Sequence, residues 1–171
     1  MYGLLKNKIM SDRDWLIKEY LPKLEGRILY IGINDYTVLY PSFVKSGSIY
    51  ESLDSSVERS KSGYNSNVHH TIDLQDHFPN YLYDHVSMHG CHGYVGYNIN
   101  NFNIKEDVHK LHQLLKVGGT LQFGPGCGYI PEYNLQFWES FTDVDPFTKY
   151  KTLNSGLKGM NYVWWGMKNE E

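Results

Sequence analysis

A mostly parallel α/β sheet, covered on both faces and closed by an antiparallel strand pair, is the fold class the sequence predicts. Three observations lead to it. Apolar strand-like runs alternate with helical patterns from residue 26 onward, as in a parallel sheet with helices on both faces. The last two strand-like runs, "VDPFTKYKTL" and "MNYVWWGMK", are joined by the short turn "NSGLKG", which suits antiparallel neighbours. In "YVWWG" adjacent large residues point to opposite faces, as in a strand covered on both sides.

The elements follow in order. "SDRDWLIKEYLPKL" (11–24) starts at a Ser11 or Asp12 cap and carries Trp15, Leu16, Tyr20 and Leu24 at helical spacing, with Pro22 bending or ending it. "RILYIG" (27–32) is a short apolar run with a glycine stop, a buried strand. "TVLYPSFVKSG" (37–47) is expected as a short helix ending near Gly47, and "SIYESLD" (48–54) as a second strand. "SSVERSKSG" (55–63) is a short capped helix with Gly63 at its end. "NVHHTID" (67–73) and "YDHVSMHG" (83–90) are the third and fourth strands. The clearest helix is "IKEDVHKLHQLLKVGG" (104–119), where Ile104, Val108, Leu111, Leu114 and Leu115 line one face. "TLQFG" (120–124) is the fifth strand, "NLQFWESF" (134–141) a further helix, and the final pair completes the sheet.

The chain has 171 residues, 41% hydrophobic and 20% charged, which fits one folded domain: an N-terminal helical segment (1–25) and a core (26–171). A net charge of −3 forces no basic face, so a nucleic-acid backbone is not the default partner. No apolar run is long enough to span a membrane, and the opening "MYGLLKNKIMSDRD" is too polar for a signal peptide. With only Cys91 and Cys127 there is no disulfide framework, and the expected compartment is the cytoplasm.

The strand ends carry the chemistry. In doubly wound sheets, ligands sit beyond the carboxyl ends of the strands. Gly32 follows strand one, where it permits close backbone approach. Asp54 ends strand two, where a carboxylate can accept from both ribose hydroxyls of an adenosine. Asp73 ends strand three, where it can accept from an adenine amino group while the Leu74 N–H meets a ring nitrogen. Against this stands a plain structural role, Asp54 capping helix 55–62 and Asp73 starting a turn. The dinucleotide fingerprint G-x-G-x-x-G is absent, which disfavours a nicotinamide or flavin dinucleotide.

These segments resemble the class I S-adenosylmethionine-dependent methyltransferases over nearly the whole chain from residue 26. "ILYIGINDYT" is similar to their first motif, "SLDSS" to the acidic end of their second strand, and "TIDLQD" to the adenine-contacting segment. "LHQLLKVGGTLQF" is the most specific match, to the segment "LLKPGG-L". A narrower likeness, of "IGINDYT" and "HGCHGYVGYN", is to a subgroup with V-G-V-x-x-Y-T and N-G-V-F-G-Y-G-L-N at these places. The resemblance implies a seven-stranded Rossmann-like sandwich of order 3-2-1-4-5-7-6 with a C-terminal antiparallel hairpin, and S-adenosyl-L-methionine as cofactor. It places Gly32, Ile33, Asn34 and Asp35 at the amino-acid part of that cofactor, Asp54 and Ser55 at the ribose, and Asp73 and Leu74 at the adenine. The sequence departs from the family in its first motif: Tyr30 holds the usual acid position, and Asn34 and Tyr36 replace later glycines. Asn34 suits the turn because asparagine tolerates positive φ.

On the acceptor side, His89 and His92 in the Gly-rich stretch 89–98 are candidate bases, for an oxygen or nitrogen acceptor that must lose a proton. Tyr36, and Tyr20 on the N-terminal segment, are candidate acceptor-site residues. The expected acceptor is a small molecule or an exposed group, with a homodimer as one way to complete its site. The N/D-P-P-Y/W motif of many amino-methylating enzymes is absent. His89, Cys91, His92, His109 and His112 show no zinc-site spacing, so no metal is expected. "GPGCG" (124–128) lacks the Lys-Ser/Thr of a phosphate loop. The rival reading is a catalytically inactive relic of the same fold, serving as a binding or regulatory module.

Overall fold

A computed structural model describes residues 12–33, 37–60, 66–89, 104–124, 147–158 and 161–171. Seven strands form one sheet: β1 (Arg27–Ile31), β2 (Ile49–Leu53), β3 (Val68–His70), β4 (Tyr83–His89), β5 (Leu115–Gly124), β6 (Tyr150–Lys158) and β7 (Asn161–Lys168). Their order is β3-β2-β1-β4-β5-β7-β6. The pairs among β3, β2, β1, β4 and β5 are parallel, whereas β7 runs antiparallel to both β5 and β6. The order and the closing hairpin expected from the sequence are both present.

The period-two alternation of the strands divides the core in two. On one face Leu29, Ile31, Leu53, Val86, Met88, Leu121 and Phe123 pack with helix α3 (Ile104–Leu114) through Val108, Leu111 and Leu114. On the other, Ile28, Tyr30 and Tyr50 pack with Trp15, Leu16, Tyr20, Leu21 and Leu24 of the N-terminal segment. Both faces of β1 are therefore apolar and buried, as a central parallel strand requires.

Several elements differ from the sequence expectation. The N-terminal segment is not one α-helix: α1 (Asp12–Trp15) passes into a π-helical turn (Leu16–Tyr20) and a 3-10 turn (Leu21–Lys23) that holds Pro22. Proline tolerates that first-turn position because its missing N–H is not needed there. The stretch expected as a helix to Gly47 is a 3-10 turn (Thr37–Phe43). The expected helix 55–63 contains α2 (Val57–Ser60).

The long helix stops at Leu114 rather than at Gly119, and β5 starts five residues before the expected Thr120. Two features account for this. The buried Lys168 ammonium donates to the carbonyls of His112 (3.0 Å) and Leu115 (2.9 Å), groups that a helix end leaves unpaired. Gly118, at φ +82°, then allows the bend within β5 where its register on β4 shifts between Tyr83 and His85.

In the hairpin most of "NSGLKG" is strand, because β6 stays paired through Lys158↔Asn161 and the ladder overrides local turn propensity. The expected helix 134–141 lies outside the described residues. Among the described residues no helix is long and apolar enough to cross a membrane.

Candidate functional site at the carboxyl rim of the sheet

The parallel strands deliver their carboxyl ends to one rim. β1 leaves the sheet through Gly32, whose φ of +80° is a conformation that glycine adopts without strain. The Gly32 N–H donates to the Leu53 carbonyl (2.9 Å), which ties the bend to the end of β2. One residue on, the Ile33 N–H donates to Oδ2 of Asp54 (3.0 Å), and the Ser56 N–H donates to Oδ1 of the same carboxylate (2.7 Å). The Asp54 N–H in turn donates to the His70 carbonyl (3.0 Å) at the end of β3. Asp54 is 4% exposed. It thus begins the turn into α2, as a capping role requires, and at the same time clasps the bend after β1.

Asp73 and Leu74 follow β3. Leu74 is buried in the α3-side core, whereas Asp73 is exposed and accepts from the Gln75 N–H (2.9 Å), capping the 3-10 turn Leu74–Asp76. The Gln75 side chain donates to Asp107 at the start of α3 (2.7 Å). Burial raises the Asp107 pKa, Gln75 opposes that, and the charge of Asp73 adds to it. Ser55 is exposed and Ile33 buried. His89 is the last residue of β4, paired with Gly124, and so reaches the same rim.

The structure therefore ties the bend at Gly32 and Ile33 to Leu53 and Asp54, places His89 as the last residue of β4, and puts Asp73 three residues beyond the end of β3 rather than at it, because β3 stops at His70. Asn34, Asp35, Tyr36 and His92 lie outside the described residues. Tyr20 is fully buried in the second core, stacked on Trp15 (ring centroids 5.5 Å apart) and edge-on to Trp165 (5.3 Å). Burial raises its pKa, with Ser87 opposing. The Tyr20 and Tyr50 hydroxyls and Trp165 Nε1 are buried and find no hydrogen-bond partner of normal geometry among the described residues.

No protein-family model matches the chain, and no curated protein matches it by sequence. Solved structures do. The plantazolicin methyltransferase BpumL in complex with SAH superposes with a TM-score of 0.61 at 16% identity, over 91% of this chain and 79% of that one. The DhpI–SAH complex gives 0.62 at 13% identity, over 86% and 78%. The N-methyltransferase NodS from Bradyrhizobium japonicum WM9 gives 0.57 at 13% identity, over 85% and 86%. The fold is that of the class I methyltransferases.

Within that fold, sequence reasoning missed several groups beside the bend. A small hollow, open to solvent, is lined by Ile33, Thr37, Tyr50, Ser52 and Ser66 among others. Ser52 had a legible signal: it lies two residues before Asp54, on the face of β2 that also carries Tyr50. Ser66 had none, because its place follows from the pairing of β3 with β2. Among the described residues, no group of three His, Cys, Asp or Glu side chains is placed to hold a metal.

Proposed function

We propose that this chain transfers a methyl group from S-adenosylmethionine to a small molecule or an exposed group on a larger one. The observation that carries this reading is the clasp of the glycine bend after β1 onto the buried carboxylate after β2, within the strand order 3-2-1-4-5-7-6. The SAH complexes among the structures of like fold support the same cofactor.

The residues present fit that cofactor at its ribose. A carboxylate offers about four acceptor positions, and the backbone N–H groups of Ile33 and Ser56 fix the plane of Asp54. Gly32 keeps the bend free of a Cβ where the amino-acid part would approach. Asp73 and the Leu74 N–H are the groups we assign to the adenine. The bound cofactor would supply an electrophilic sulfonium methyl. The protein's own task is then to hold the acceptor in line and to take its proton, and positioning supplies much of the rate of such a step. His89, at the end of β4, is the first candidate for the proton acceptor and His92 the second.

Thermal unfolding with added ligands tests the reading. S-adenosylmethionine or S-adenosylhomocysteine at 100 times its Kd is expected to add about 2.7 kcal/mol of stability. No shift with either at millimolar concentration would refute the proposal and leave the inactive binding module. A shift with NADH alone would point to a nucleotide-dependent oxidoreductase instead.

A further inference from the structure

We propose that His69 is a positioning residue for the Asp54 carboxylate, acting through Ser60 and the Ser56 backbone. The inference rests on the cofactor reading for its consequence, but not for its geometry. His69 lies in β3 with both ring nitrogens engaged: Nε2 is 2.8 Å from Ser60 Oγ and Nδ1 is 2.8 Å from Ser52 Oγ. Ser60 Oγ donates to the Ser56 carbonyl (2.7 Å), which also receives the Ser60 N–H (3.0 Å). The N–H of that same Ser56 holds Oδ1 of Asp54. Two hydrogen bonds therefore lead from the imidazole to the Ser56 carbonyl, and the Ser56 backbone carries the link covalently to its own N–H, which holds the carboxylate that grips the β1 bend.

The protons along this line have a direction. A serine hydroxyl has one proton to give, and Ser60 gives its proton to the Ser56 carbonyl. Its oxygen must then accept from His69 Nε2–H. Neutral His69 is thereby fixed in the Nε2–H tautomer, with Nδ1 accepting from Ser52. Ser52 Oγ in turn accepts from Ser66 Oγ, 3.0 Å away. The relay joins β2, β3 and α2 behind the hollow at the bend. Protonation of His69 would put a second N–H against Ser52 and force that hydroxyl to turn. Burial lowers the His69 pKa; of the charged groups facing it, Asp54 raises the pKa and His70 lowers it.

The test uses the whole protein and two readouts. Amide hydrogen exchange without ligand is expected to show faster exchange at Ser56 in His69→Ala, while amides of β1, β4 and β5 keep their protection. His69→Gln carries an amide donor in place of Nε2–H and is expected to restore part of the protection at Ser56. Ser60→Ala leaves the imidazole intact and is expected to reproduce the loss, which keeps the test decisive if His69→Ala does not fold. Unchanged exchange at Ser56 in both folded variants would overturn the proposal.

The second readout is calorimetric affinity for S-adenosylhomocysteine from pH 5 to 8. In His69→Ala the affinity is expected to fall about tenfold, the effect of roughly one hydrogen bond to a charged group. In the wild type, affinity is expected to drop once the pH falls low enough to protonate His69, which burial holds below 6.5, because the second N–H then turns the Ser52 hydroxyl that lines the hollow, and His69→Gln should flatten that profile. Equal affinity and equal pH profiles in wild type and variants would sever His69 from the ligand site. A wild type that fails to bind would refute the methyltransferase reading, while the exchange readout would still decide whether His69 sets Asp54.

Discussion

Two buried carboxylates, three residues apart at the end of β2, are held in opposite ways. Glu51 has no exposed surface and is closed by side chains alone. Arg27 Nη1 donates to Oε2 (2.6 Å), and His70 Nε2 (2.7 Å), Tyr81 OH (2.8 Å) and Tyr83 OH (3.0 Å) donate to Oε1. Because Tyr83 gives its proton to Glu51, it accepts from His77 Nε2 (2.9 Å). With three donors on Oε1, one on Oε2 and no exposed surface, Glu51 is closed to a ligand by its own partners. Asp54 is gripped by two backbone N–H groups that belong to the turns around it. The difference separates a carboxylate closed by side chains from separate elements from one held by the backbone of the turns beside it.

The largest expected effect breaks the first member of the pair. Glu51→Ala strands four side-chain donors and is expected to cost about 3–5 kcal/mol, the range for removing one partner from a buried ion pair. A urea midpoint within error of wild type would show that water replaces the carboxylate. Whatever remains folded should bind S-adenosylhomocysteine with little change.

Asp54→Ala should show the reverse balance. Leaving the Ile33 N–H unpaired is expected to cost about 1–3 kcal/mol, and the protein stays folded. Its affinity for S-adenosylhomocysteine is expected to fall at least about tenfold. Unchanged affinity by calorimetry would place the ribose elsewhere. If Glu51→Ala weakened binding as much as Asp54→Ala does, the contrast between the two carboxylates would collapse.

Acid titration separates them by charge. Burial pushes the Glu51 pKa up, but the His70, Tyr81, Arg27 and Tyr83 hydrogen bonds outweigh it, and the net shift is downward from 4.5. Glu51 therefore contributes stability that is present above pH 4.5 and is lost as the pH falls from there through its lower folded value. His69, His77 and His85 are held below 6.5, each mainly by burial. Below pH 6.5 the unfolded chain binds more protons at these sites, so stability falls on acidification from 6.5 and is flat above it. Urea midpoints measured from pH 2 to 8 should show two successive declines, and Glu51→Gln should shrink the lower one, to which Asp84, also held below its ordinary value, contributes. A single decline that persists in that variant would assign the acid sensitivity to other groups.

The smallest expected effect is at Asp73. Its side chain is exposed and caps only a short 3-10 turn, so Asp73→Ala should cost about 0.5–1 kcal/mol. A larger loss in affinity than in stability would support its role at the adenine.

The sequence made much of the architecture legible, and the reason is physical. Strands such as "RILYIG" are continuous apolar runs because both faces are covered, and that covering is a local signal. Gly32 and Asp54 were visible for the same reason, since strand ends are marked by glycine and acid. The end of α3 was not, because its stop depends on Lys168, more than fifty residues away. The Glu51 cluster and the His69 relay were equally hidden. Their members come from separate strands and turns, and read one at a time "ESL" and "VHH" are ordinary strand residues. The hairpin misled because "NSGLKG" has turn composition, while its pairing partner determines that most of it is strand.

The edge strand β6 carries one more consequence. Thr152 faces Gly166 and Asn154 faces Trp165, so Leu153 is an extra residue, bulged out of the ladder and 42% exposed. A bulge twists an edge and interrupts the row of idle amides that another chain would otherwise template upon. Deleting Leu153 would straighten that margin into an uninterrupted adhesive border, a ready template on which further copies stack.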